Sequence, residues 1–107
     1  MNDLSNCSAS EPFALRVVGD DMAPEFLDGQ VIIVDPGGKI SSGCYVVARH
    51  QGEMIFRQLV LAGDSCRLRA LDEELPVIEL ASGIEDIVGV ISQRAGRRRS
   101  EHKRYDV

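Results

Sequence analysis

The sequence predicts a mostly β domain of about seven short strands with one short helical turn. Three observations carry that prediction. Short runs of Val, Ile and Leu recur along the chain, and Gly, Asp and Pro turn signals separate them at intervals of roughly eight to twelve residues. No stretch shows the 3.6-residue apolar spacing of a long amphipathic helix. A chain of 107 residues with 44% apolar content suits one domain with one modest core. Five aromatic residues and no Trp leave that core to be built from Val, Ile and Leu.

In chain order, Met1 to Pro12 is small and polar and reads as a lead-in over residues 1–12. Phe13 to Val18 alternates loosely and ends β-branched, which predicts a strand. Gly19-Asp20 breaks it. Asp20 or Asp21 is placed to N-cap a helical turn over Met22 to Phe26, with Pro24 in its first turn, where Pro is tolerated. Asp28-Gly29 signals a turn, and Val31 to Val34 is a strongly β-branched buried strand. After a loop from Asp35 to Gly43, Cys44–Arg49 and Met54–Leu61 read as a hairpin around Gln51-Gly52-Glu53. Ser65–Leu71 is a further strand, Asp72-Glu73-Glu74 a solvated turn and Val77–Leu80 a short apolar segment. Ile84–Gln93 alternates, and Gly89 inside it marks a bulge or a close approach.

Charge divides the chain unevenly. Six of the twelve Lys/Arg lie at or after Arg94 against two acids, which leaves six basic and fifteen acidic side chains in residues 1–93. An acidic body repels the phosphates of duplex DNA and is a poor reader of it. No helix-turn-helix can be placed. The basic tail over residues 95–107 is expected to be solvated, with Arg97, Arg98, Arg99 and Lys103 as candidate contacts for nucleic acid or a partner. Cys7, Cys44 and Cys66 form no CxxC and leave one cysteine over, which suits a reducing compartment. With His50 and His102 isolated, no metal site is expected, and no cofactor. No run approaches the ~20 apolar residues of a membrane span. The N-terminal residues lack a signal-peptide pattern, so a cytoplasmic location is expected.

The adjacent Asp20 and Asp21 raise the question of carboxylate chemistry. Gly-Asp-Asp serves metal binding in template-dependent polymerases, but this chain is too short for their palm and nucleotide channel. Asp20, Asp21, Glu25 and Asp28 do not follow calcium-loop spacing. The Asp-Thr/Ser-Gly of aspartic proteases is absent, and few aromatics make a poor sugar platform.

A different pattern covers the whole neighbourhood. Leu15-Arg16-Val17-Val18-Gly19-Asp20-Asp21-Met22-Ala23-Pro24, Asp28-Gly29-Gln30-Val31-Ile32-Ile33-Val34-Asp35, Gly43-Cys44-Tyr45-Val46-Val47, Glu53 to Leu59 and Ile87-Val88-Gly89-Val90-Ile91 occur in that order. Together they resemble the S24 peptidase family, the self-cleaving C-terminal domain of LexA-type and phage repressors and of UmuD, over about residues 13–94. The resemblance implies a LexA/signal-peptidase-like β-rich fold. It also implies a Ser nucleophile before the Met and a Lys general base on the later strand. Here Asp21 stands at the Ser position and Arg57 at the Lys position.

Neither substitute performs the original role. A Lys base must be neutral to accept the hydroxyl proton, whereas Arg stays protonated. A carboxylate beside a guanidinium is stabilised as an anion. The expectation is therefore a catalytically silent domain in which Asp21 and Arg57 form an ion pair within about 4 Å. If buried, that pair would cost ~3–5 kcal/mol to break from one side. Met22 and Pro24 are expected to line the old cleft. The resemblance implies a homodimer, or a mixed dimer with an intact repressor, in phage-type or SOS-type transcriptional regulation. One rival is a peptidase with a rearranged nucleophile at Ser41 or Ser42. Another is a nucleic-acid-binding accessory acting through the basic tail.

Overall fold

Eight antiparallel strands form one sheet in the computed structural model, which describes residues 11–106. The expectation for the lead-in therefore falls, up to Ser10, outside the described residues, as does Cys7. The strands are β1 (Phe13–Arg16), β2 (Val31–Asp35), β3 (Tyr45–His50), β4 (Glu53–Ala62), β5 (Ser65–Arg69), β6 (Ile78–Glu79), β7 (Ile87–Ala95) and β8 (Lys103–Arg104). Their order is β1-β2-β7-β3-β4-β5-β6, with β8 also paired to β7. The sequence predicts about seven of these. The eighth comes from the basic C-terminal segment, which doubles back so that Gln93 faces Arg104 and Arg94 faces Lys103.

The β3–β4 hairpin closes on the pair His50 and Glu53, and its two loop residues, Gln51 and Gly52, have φ of +53° and +80°. Left-handed conformations at both positions match the right-handed twist of the flanking strands. β7 is an interior strand, and its register against β2 and against β3 shifts once each, between Ile33/Val34 and between Val47/Ala48. Gly89 lies between these shifts. A Cβ there would come within 2.6 Å of Val34 Cγ1 and 3.0 Å of the Asp35 carbonyl oxygen. The close approach expected at this glycine is present, and the irregularities of register fall beside it, at Val88 and Ser92.

Alternate residues of the central strands face two apolar clusters. Val47 and Ile91 join Phe26, Ile32, Val34 and Met22 on one face. Val46, Ala48 and Val90 join Leu59 and Leu68 on the other. This two-sided cover explains why β3 and β7 read as nearly continuous apolar runs. Phe26 is fully buried and makes edge-on contacts with Tyr45 and Phe56, each with ring centroids 4.8 Å apart.

Two local expectations are corrected. The segment after Gly19 is a run of turns over residues 21–25 rather than a helix, and the Ala23–Pro24 peptide is cis. Its backbone bonds are isolated, Ala23 N to Asp20 O and Phe26 N to Met22 O. Ile84 to Asp86, assigned to the last strand, lies instead in a 3-10 turn over Gly83–Asp86 that precedes β7.

Candidate functional site

The loop joining β1 to β2 is clamped shut at its base. Val17 N donates to Gln30 O at 2.7 Å and Gly29 N to Val17 O at 2.8 Å. Gly19, with φ of +86°, donates its N–H to Asp28 Oδ1 at 2.7 Å. A left-handed residue is needed at that corner, and Gly takes it without a Cβ penalty. The clamp holds the next residues against the start of β4. A further bond, from Asp72 N to Asp21 O at 3.0 Å, fixes the backbone of Asp21 itself.

Between the loop and β4 lies a cleft of about 420 Å³ whose lining includes Leu15, Val18, Asp21, Met22, Met54 and Arg57. Its rim is apolar: Val18 is 82% exposed and Met54 48%. The first half of β4 pairs with β3 alone, because pairing with β5 begins only at Gln58. The backbone edge of residues 53–57 therefore stands open.

Asp21 and Arg57 meet in this cleft, with Asp21 Oδ2 3.6 Å from Arg57 Nη2. The separation is within ion-pair range but longer than a bidentate hydrogen bond. Arg57 is tucked in, with its side chain 16% exposed, and Nη1 donates to Phe56 O at 2.8 Å. Its Nε is buried and has no hydrogen-bond partner. The Asp21 side chain is 47% exposed. The pair is thus half in water, and the cost foreseen for a buried pair falls to that of a surface one, about 1 kcal/mol or less.

Among the described residues the lining of the cleft contains no Ser, Thr, Cys, Lys or His. Of the chain's two lysines, Lys39 lies outside the lining and Lys103 is engaged elsewhere. Met22 lines the cleft and is buried. Pro24 does not line it: the turn carries this ring to the exposed side, away from Met22. Ser41 and Ser42 border a separate depression of about 270 Å³, together with Cys44, Tyr45, Tyr105 and Asp106. There Ser42 Oγ accepts from Leu61 N at 3.0 Å, a loop-fixing bond, and no Lys or His borders the hydroxyls.

A second polar centre, invisible in the sequence, sits in the same loop. The Glu25 carboxylate accepts hydrogen bonds from Tyr105 Oη at 2.7 Å and Lys103 Nζ at 2.8 Å, with Arg94 Nη1 3.3 Å away. Burial by itself pushes this carboxyl up, but the bonds from Lys103 and Tyr105 and the charges of Lys103 and Arg94 outweigh it and hold the pKa below the ordinary value. Burial, followed by the bond to Glu25 and its charge, pushes the Tyr105 phenol well up. The Tyr105 ring packs tilted against Phe26 at 5.5 Å and edge-on against Tyr45 at 5.7 Å. The only clue available beforehand was scarcity: four of the five aromatic residues make this one cluster.

The basic segment expected to be solvated is therefore anchored at Lys103 and Tyr105. Arg94 Nε donates to Glu101 O at 2.9 Å, and buried Gln30 donates to Glu101 Oε1 at 3.1 Å. Arg97, Arg98 and Arg99 remain exposed. Among the described residues no group of His, Cys, Asp and Glu could hold a metal ion, and no helix is long and apolar enough to cross a membrane.

The sequence model of the family described as Peptidase S24-like matches residues 3–92. Among curated relatives, the HTH-type transcriptional regulator for conjugative element R391 of Providencia rettgeri is 41% identical over 88 residues, covering 76% of this chain and 40% of the relative. The regulator for conjugative element SXT of Vibrio cholerae matches to the same extent. Repressor protein C2 of Salmonella phage P22 is 37% identical over 92 residues, covering 80% of this chain and 42% of the relative. The chain spans about two fifths of the length of these relatives.

Proposed function

From the premise that the chain belongs to the Peptidase S24-like family, we propose that it is a catalytically silent member acting as a dimerisation or protein-interaction module in transcriptional regulation. A regulatory role is supported by relatives named transcriptional regulators and a phage repressor. The observation that carries the silent reading is the cleft itself. It has apolar walls and an open strand edge, and among the described residues Asp21 and Arg57 are its one ion pair and its lining offers no hydroxyl, thiol, amine or imidazole. Amide hydrolysis needs a nucleophile and a group able to take its proton. A guanidinium cannot take it.

What remains is a surface suited to an extended segment. The unpaired edge of residues 53–57 offers backbone donors and acceptors, and Val18, Met54 and Met22 offer apolar contacts. Association with a second copy, or with an intact repressor, is the mode of action in this reading. The test is to treat the purified chain with a fluorophosphonate, which labels activated serines, and to measure its mass in solution by sedimentation equilibrium. The proposal expects no labelling and a dimer mass that dilution returns to the monomer. Stoichiometric labelling lost on Ser41→Ala or Ser42→Ala would overturn the silent reading. A strictly monomeric chain that also fails to associate with an intact S24 repressor would overturn the module reading.

A further inference from the structure

We infer that the C-terminal hairpin is a preformed binding site for the phosphate backbone of duplex DNA, formed by Arg97, Arg98, Arg99 and Arg104. The inference rests on the regulatory reading only for the choice of DNA as the polyanion. The site itself is argued from geometry and charge.

All four side chains are exposed, and among the described residues none takes part in an ion pair, whereas Arg57, Arg67, Arg94 and Lys103 each do. The acids of the segment form no ion pair with them among the described residues, although the charge of Arg98 is felt at Glu101. Glu101 is turned inward to Gln30, whose hydrogen bond is the first cause of its lowered pKa, and Asp106 lies beyond the Tyr105 anchor.

The hairpin that presents these arginines is fixed rather than trailing. Two residues of β8 pair with β7, Tyr105 and Lys103 are tied to Glu25, and Glu101 is tied to Arg94 and Gln30. The turn between the strands packs so closely that a Cβ on Gly96 would fall 1.9 Å from Glu101 Oε1. Guanidiniums held on a rigid element lose less freedom on binding than those on a loose tail. Their planar donors match phosphate oxygens in bidentate fashion.

The acidic body limits the contact to this one edge, which predicts weak, sequence-independent binding dominated by counterion release. With four phosphate contacts the slope of log K against log salt is about −3.6, so affinity falls about 100-fold between 50 and 200 mM salt. An acidic protein face is the competing occupant, and the nearest such face is the body of a second copy.

The experiment measures fluorescence anisotropy of a labelled 20-base-pair duplex with the full chain across that salt range, together with sedimentation of the protein alone. The inference expects the steep slope for the natural chain, a slope near −1 for the triple variant R97Q/R98Q/R99Q, and a slope shallower by about 1 for R104Q. These positions are exposed and form no ion pair among the described residues, so thermal unfolding of each variant should match the natural chain. Binding insensitive to salt, or a slope unchanged in the triple variant, overturns the site. So does low-salt self-association that the triple variant abolishes while DNA binding is absent, which would assign the patch to a second copy. None of these failures bears on fluorophosphonate labelling, so the silent reading stands or falls separately.

Discussion

Replacing Glu25 with Gln keeps the size of the side chain and one carbonyl acceptor but removes the charge that gathers Tyr105, Lys103 and Arg94. The carboxylate is about three-quarters buried, with its side chain 24% exposed, and its two short bonds measure 2.7 and 2.8 Å. Hydrogen bonds to a charged group are worth about 1.5–3 kcal/mol each when shielded. Lys103 is 47% exposed, so its share is discounted to about 0.5 kcal/mol. The bond from Tyr105 survives as a neutral one at roughly half strength, and Arg94 loses its ionic partner but keeps the Glu25 carbonyl. The sum is about 2 kcal/mol. For a domain of this size that lowers Tm by about 10 °C.

The pH dependence follows from the direction of the Glu25 shift. Its folded pKa lies below the ordinary 4.5, so the unfolded chain takes up the proton first as pH falls. The stability it supplies is complete above that ordinary value and is lost as pH drops through the folded value. The Tm difference between the natural chain and Glu25→Gln should therefore be largest at pH 7 and should shrink towards pH 3. Thermal melts by circular dichroism at both pH values measure it. A difference equally large at pH 3, or no difference at pH 7, would refute the assignment of Glu25 as the charged anchor of the C-terminal hairpin.

Two further substitutions probe the core and the cleft. Gly89→Ala places a methyl 2.6 Å from Val34 Cγ1 and 3.0 Å from the Asp35 carbonyl, and should cost about 1–3 kcal/mol in urea unfolding, with the m-value unchanged. Arg57→Met breaks a half-exposed ion pair and the Nη1 bond to Phe56 O, but it also removes a buried Nε that has no partner among the described residues, so stability should change by less than about 1 kcal/mol in either direction.

The sequence made most of the sheet legible because β-branched runs carry their own signal: Val46–Val47 face apolar neighbours on both sides, and Ile32 and Val34 face the cluster that contains Phe26. Gly89 was readable for the same reason, since a lone Gly in such a run implies a close neighbour. β8 was not, because Lys103-Arg104 is held by main-chain pairing and by its neighbours' bonds to Glu25, with no apolar pattern of its own. The turn at Asp21–Glu25 misled for a physical reason. Asp-Asp-Met-Ala-Pro satisfies the rules for a helix start, and only tertiary contacts show that Asp21 faces Arg57 while Met22 turns to the core. The meeting of Asp21 and Arg57 was anticipated through the family pattern. Its half-exposed character, and the Glu25 centre linking residues 80 positions apart, depend on chain crossings that no local window contains.

The central claim is that Asp21 and Arg57 occupy the two positions of a Ser–Lys dyad in an otherwise preserved cleft. Fluorophosphonate labelling of the double variant D21S/R57K, with the natural chain and the single variants beside it, tests this most directly. The account predicts labelling of the double variant alone, at the introduced hydroxyl, because only that chain has both a hydroxyl at position 21 and an amine able to lose its proton at position 57. A folded double variant that stays unlabelled, or a natural chain that is labelled as strongly, would contradict it.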